Sequence, residues 1–259
     1  MARPLSRHCG GVFLAAGLLA MAALPVAAAD LDRPAPVPSF SGWYLRGDIG
    51  YTAQRVGSLY NVLYDDPAIG AVIPTERDFS PAPFIGLGIG YRWNDALRTD
   101  LTAEYRFRSD FDGRDVILDT GGSFAFDDDY TAWKEEYTFL ANLYVDLGRF
   151  GPVTPFVGAG IGASYNRIND FTDVNIVNSG LAFGDDHGEW HLAWALHAGL
   201  AWQVSDRMTL ELAYRYLDLG GAASGDLVTY TGTNAVDNPM EFRDLTSHDV
   251  KLAVRYDLQ

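Results

Sequence analysis

From Gly42 onward, large apolar residues recur at every second position in eight stretches of about ten residues each. In FIGLGIGYRW (84–93), Ile85, Leu87, Ile89, Tyr91 and Trp93 alternate with Gly86, Gly88 and Gly90. GWYLRGDIGY (42–51) sets Trp43, Leu45, Ile49 and Tyr51 against Arg46 and Asp48. LRTDLTAEYRFR (97–108) sets Leu97, Leu101, Ala103, Tyr105 and Phe107 against Arg98, Asp100, Glu104, Arg106 and Arg108. The same alternation marks 136–147, 154–165, 190–203, 209–216 and 248–258. A period of two over such lengths predicts β-strands, because successive side chains of a strand point to opposite faces.

The connections between these strands are unequal. Tight turns are expected around Asn94-Asp95, Gly148 to Pro152 and Ser205-Asp206. The other four connections are long, polar and rich in Gly and Asp. Short turns alternating with long loops describe a membrane barrel better than a compact soluble domain. The apolar face decides which way the barrel is turned. It offers about five large residues per strand, too many for the interior of an eight-stranded barrel. The opposite face offers the glycines of 84–93, Gly158, Gly160 and Gly162, and charges of both signs that can pair: Arg46, Asp48, Arg98, Asp100, Glu104, Arg106, Arg108, Glu136, Glu211, Arg215, Asp249, Lys251 and Arg255. That set fits a narrow lumen, so the apolar face is expected to meet lipid. Trp43, Trp93, Trp202 and Tyr256 then fall near the turn end, and Trp190 and Tyr216 near the loop end, as two aromatic girdles. The predicted fold is all-β: an eight-stranded antiparallel up-and-down transmembrane β-barrel with four long external loops, spanning 42–259.

Residues 1–29 have a different character. Arg3 and Arg7 precede an apolar run from Val12 to Leu24, which ends at Ala27-Ala28-Ala29. This predicts a cleaved export signal. It carries Cys9, the single cysteine, so no disulfide framework is expected. Residues 30–41, with Pro34, Pro36 and Pro38, are expected as an extended periplasmic tether. The whole chain has a formal net charge of −15. Segments 52–82, 109–132, 167–189 and 217–247 carry −2, −6, −4 and −4, which concentrates the acid in the connections. So acidic a chain is a poor partner for nucleic acid.

The opening FSGWYLRGDIGY, the FIGLGIGYRW and PFVGAGIGASYN strands, and the Pro-rich start after an Ala-rich leader resemble the alphaproteobacterial porin-like surface barrels, whose architecture is that of the OmpA transmembrane barrel. The resemblance implies a Gram-negative outer membrane, insertion by the barrel-assembly machinery, periplasmic termini and extracellular loops. Such proteins usually end in an aromatic residue. Here Tyr256 is followed by Asp257, Leu258 and Gln259.

Candidate chemistry is sparse. Lumen charges either form a salt-bridged plug or line a narrow pore, and long arginines in eight strands favour the plug. His191 and His197 stand about 20 Å apart along one strand, too far to share a metal. Ser247 and His248 are adjacent and so point to opposite faces, which argues against a lipid A-modifying Ser/His pair. The Asp127–Asp129 and Asp185–Glu189 clusters match no calcium-loop spacing and are expected as solvated surface, with bridging through divalent ions to lipopolysaccharide as the alternative. Leu59, Tyr60, Val62, Leu63, Tyr64, Val228 and Tyr230 are expected to pack on one another or to meet a partner. No catalytic, cofactor or metal residues are expected. The expected role is structural and surface-exposed, in envelope integrity, with a narrow porin or a loop-borne ligand or host-surface binder as alternatives. The sequence leaves the oligomeric state open.

Overall fold

The computed structural model describes residues 42–232 and 236–258. The expected leader (1–29) and tether (30–41) lie outside the described residues. The described chain runs through β1 (Gly42–Arg55), β2 (Ser58–Tyr60), a 3-10 turn (Val62–Asp65), β3 (Ile69–Phe79), β4 (Ala82–Arg92), β5 (Leu97–Asp119), β6 (Phe124–Asp146), β7 (Val153–Asn175), β8 (Gly180–Gly184), β9 (His187–Gln203), β10 (Met208–Ala223), β11 (Leu227–Thr229) and β12 (Glu241–Asp257).

Eight of these strands close a ring in the order β1-β4-β5-β6-β7-β9-β10-β12, each antiparallel to the next. The seam is the β1–β12 ladder, from Tyr44↔Asp257 to Arg55↔Thr246. Closure removes the unpaired edges that a bilayer would not tolerate. The β4–β5, β6–β7 and β9–β10 turns sit with the described start and end of the ring. Their residues suit tight turns. The Asn94 side chain accepts from the amides of Ala96 and Leu97. Gly148 and Gly151 take positive φ, and Ser205 Oγ accepts from the amide of Met208.

Near this end the exterior is apolar, with Trp43, Leu45, Leu87, Leu101, Phe139, Ile161, Leu192 and Leu252 turned outward. The interior holds the charges. Toward the opposite end the arrangement inverts, and on β5, β7 and β12 β-bulges do the inverting. β5 gains a residue between Arg106 and Ser109. β7 gains one opposite Thr131–Trp133, next to Asp170 at φ 51. β10 and β12 are irregular around Gly220 (φ 76) and Asp244 (φ 55). One extra residue turns every later side chain to the other face. Beyond the bulges the interior becomes an apolar core of Val56, Phe79, Phe111, Tyr130, Phe171 and Phe242 with their neighbours. The exterior there becomes polar, as Arg108, Asp110, Asp112 and Arg114 show.

The connections expected as four long loops are therefore largely sheet. β3 pairs with the extension of β5, β5 with β6 up to Leu118↔Phe124, β8 with β7, β11 with β8, and β2 with β12. The physical reason is that this end folds as a water-soluble barrel would. A packed interior supports strands that no longer need lipid. Leu59 and Tyr64 pack against that interior, whereas Leu63 stays exposed.

Candidate functional site

The lumen is built from inward positions of all eight ring strands. Arg46 on β1 meets Asp48 at 2.7 Å and Asp100 on β5 at 2.6 Å. Arg98 meets Glu211 at 3.1 Å and Asp146 at 3.2 Å. Arg255 reaches the same Glu211 at 3.2 Å. Arg215 on β10 holds Glu104 through both guanidinium nitrogens, at 2.8 and 2.6 Å, and Asp249 at 2.8 Å. Arg106 joins Asp249 to Glu136, which also takes Lys134 at 2.5 Å. Lys251 lies 3.6 Å from Asp48 and 3.8 Å from Glu104. Each cation in this web has a carboxylate, the condition under which charges can be held away from water. Aromatic rings fill the space between. The Arg98 guanidinium lies 4.2 Å from the Tyr144 ring centre and 4.7 Å from that of Phe156. Phe84 stands between Arg106 and Arg215, at 5.0 and 5.3 Å. The opposing strands leave room because Gly86, Gly88, Gly90, Gly158 and Gly160 face this side, where Cβ atoms would meet Glu104, Arg46, Tyr44, Tyr144 and Asn142.

Twelve of the thirteen expected lumen charges lie in this web, and Arg108 does not. Its side chain is 60% exposed and pairs with Asp110 on the outer surface. The bulge after Arg106 puts Phe107 and Arg108 both outside, so the lumen phase ends one residue early. Sequence reasoning missed Lys134, which enters two residues before the alternating segment that was recognised. It also missed Tyr44 and Tyr144 as ring partners of the arginines. His197 is buried with Nε2 3.2 Å from Asn142 Oδ1, while His191 pairs with Glu189. His248 faces outward against Tyr214, away from Ser247, which sits inside near Arg106.

Above the web, Phe79, Phe111, Phe171 and Phe242 stack across the lumen with centroids 4.9–6.2 Å apart. Lys134 Nζ lies 4.8 Å from the Phe79 ring, at the junction of the two zones. Beyond this aromatic layer sits a second cluster. Asp128 lies directly across the ladder from Asp115, and Asp173 across from Tyr130. Tyr64 donates to Asp115 at 2.5 Å, with its hydroxyl 3.3 Å from that of Tyr130. Among the described residues no salt bridge reaches Asp115, Asp128 or Asp173. Arg114 is spent outside, on Asp127 and Asp129.

The outer aromatics are arranged in two groups. Trp43, Tyr91 and Trp93 stack in series at 5.3 and 4.8 Å near the turn end. Trp202 and Tyr256 are turned outward at the same end of β9 and β12. Trp190 packs on Tyr165 at 5.2 Å, and Tyr216 on Trp194 at 5.5 Å, toward the other end. The apolar exterior between them runs for about ten residues per strand, enough for a tilted strand to cross a bilayer. The model of the outer membrane protein beta-barrel domain matches residues 15–256. The chain belongs to that family. An uncharacterized protein of Brucella suis biovar 1 is 32% identical, over 98% of this chain and the whole of its own. A Rickettsia bellii protein provisionally named an adhesin is 26% identical, over 83% of this chain and 88% of its own. Among solved structures, Neisserial surface protein A aligns over 85% of this chain and 99% of its own, at 15% identity and a TM-score of 0.44.

In this outer-membrane barrel the acidic cluster beyond the aromatic layer makes stability depend on pH. Burial raises the Asp173 carboxyl to about 7, with Asp128 and Asp115 adding to it. Burial raises Asp128 to about 6, opposed by the Asn175 side chain and helped by Asp115, Asp127 and Asp129. Burial also raises Asp115, opposed by Tyr64, Tyr130 and Arg77. Folded carboxyls above the unfolded value of about 4 bind protons better than the unfolded chain. Their contribution is therefore destabilising above pH 7 and is relieved as pH falls toward 4. Intrinsically corrected hydrogen exchange at the tip of β5 and β6 should be slower at pH 5 than at pH 8. Asp173→Asn should remove most of the difference, and equal protection at both pH values would contradict this account.

Proposed function

We propose that this protein is a non-enzymatic, non-conducting structural barrel of the outer membrane, contributing to envelope integrity and displaying an acidic surface outward. The observation that carries the reading is the filled lumen. Arg98, Arg106, Arg215, Tyr44, Tyr144 and Phe84 are all but fully buried inside the ring, and the phenylalanine layer lies above them. Both barrel ends are then read from chemistry. The short-turn end, where the described start and end of the ring lie, is periplasmic. The extended end, with Asp110, Asp112, Asp127, Asp129 and Asp186 on its exterior, is extracellular. Outer-membrane lipid is the solvent of the apolar exterior, with lipopolysaccharide bordering its outer rim, and the barrel-assembly machinery is the partner during insertion. The Rickettsia relative's name favours a second reading, attachment through the extracellular strands.

Purified full-length protein in planar bilayers should give no frequent, uniform channel openings. A steady conductance abolished by Phe242→Trp would establish the porin reading instead. Loss of the protein should sensitise cells to bile salts without altering lipid A.

A further inference from the structure

The extracellular end contains a cavity of about 290 Å³. Leu63, Ile69, Ile117, Phe126, Leu181 and Met240 form its apolar wall, and Tyr64, Tyr130, Asp128 and Asp173 also line it. Asp115 shares a face of β5 with Ile117 and lies opposite Asp128. It is fully buried, and among the described residues its Oδ1 has no hydrogen-bond partner. Asp173 Oδ1 is buried and unpartnered as well. The lining contains no lysine or arginine. An apolar pocket with convergent carboxylates that no salt bridge neutralises, two of them with a buried oxygen left over, is the inverse of what folding alone favours.

We propose that this cavity binds a small organic cation, an ammonium group carried on an apolar body. The ammonium would sit between Asp128 and Asp173, where one positive charge relieves the mutual repulsion of the acids. The rings of Tyr64, Phe126 and Tyr130 would offer their π faces to it. The body would occupy the aliphatic wall. The volume lies near the lower end of ordinary ligand pockets, which sets the size class. A bare metal ion fits less well. Among the described residues, no three carboxylates or histidines come close enough to hold one, and the wall offers little else to a hard cation. An anion is excluded by the sign of the field. The site lies outside the aromatic layer, so it stands whether or not the lumen conducts.

The test uses full-length protein folded in detergent micelles, with folding verified by faster unboiled gel migration. Titration calorimetry with phenethylammonium and hexylammonium at pH 8 should show saturable binding at one per chain. 2-Phenylethanol should bind about tenfold more weakly or worse, and so should the amines to Asp128→Asn or Asp173→Asn. Binding should also weaken as pH falls to 5, where protonation of Asp128 and Asp173 removes the attraction, while Asp115, Tyr64, Tyr130 and Asn175 remain as neighbours and Arg77, Asp127 and Asp129 act on the cluster from outside it. Leu181→Trp, which fills the wall and leaves the acids in place, should abolish amine binding. Equal affinity for amine and alcohol, no saturable amine binding, or amine binding indifferent to both asparagine variants would overturn the proposal. So would stoichiometric Ca²⁺ binding that the amines cannot displace.

Discussion

Arg215→Met is expected to destabilise the barrel by about 3–5 kcal/mol, the cost of stranding buried charges when their partner is removed. Methionine roughly keeps the length of the side chain, so the loss is of charge and hydrogen bonds more than of volume. Arg215 holds both oxygens of Glu104 and one of Asp249. Without it, the ion-pair partner left to Glu104 among the described residues is Lys251, at 3.8 Å. Asp249 keeps Arg106, but Arg106 must also serve Glu136. Water cannot take over, because these side chains are 0–1% exposed. The readout is the urea midpoint of the folded, unboiled gel species in micelles. Arg108→Met is the control. It also removes an arginine from β5, yet its partner Asp110 is solvated, and exposed pairs are worth about 0–1 kcal/mol. Equal losses in the two variants would mean that the lumen web does not hold the barrel together.

The contrast between Arg106 and Arg108 also shows where the sequence stops being legible. Alternation reports which residues share a face, and it identified the ring strands and twelve of the lumen charges. It does not report what that face looks upon. On β5 the apolar residues stay at odd positions from Leu97 through Phe107 to Phe111 and Ile117. Before the bulge those positions face outward, and after it they face the inner core. The odd apolar positions continue past the bulge to Phe111 and Ile117 while their meaning reverses, because lipid and a protein interior both select apolar side chains. β6 is more informative. Between Phe126 and Val145 it carries no bulge, so its apolar positions switch from odd (Tyr137, Phe139, Leu143, Val145) to even (Phe126, Tyr130, Ala132). That switch of parity within one strand marks the passage from membrane to soluble packing. It is the signal from which the extended end, with its cavity and inward Asp128, could have been read. Asp127 and Asp129, adjacent in sequence to Asp128, belong to the opposite surface and pair with Arg114. The run of three aspartates was therefore never one site.

Bulk added to the two faces should give opposite results. Gly162→Val is expected to prevent closure altogether, at a cost above the roughly 1–3 kcal/mol of ordinary overpacking. A Cβ at Gly162 would run into the Phe139 carbonyl oxygen and approach Leu140 Cα at 3.0 Å. Both are backbone atoms of the β6–β7 ladder, which pairs Leu140 with Gly162. No rotamer change relieves that contact, so the strands must separate, which also strains the β7–β9 ladder on the other side of β7. Gly88→Trp fails for a related reason, since its Cβ would already lie 2.7 Å from the Leu101 carbonyl and 2.8 Å from Arg46 Cγ. Leu87→Phe, one residue away, should leave unboiled gel mobility and urea midpoint unchanged. Leu87 is 73% exposed on the outer face, where lipid accommodates a larger apolar side chain without strain. If Leu87→Phe prevented folding while Gly88→Trp and Gly162→Val folded normally, the apolar face would have to be the inside. The described strands would then form a soluble barrel, and Arg46, Glu104, Arg215 and Asp249 would lie in water as exposed pairs worth little, instead of holding a lumen web together.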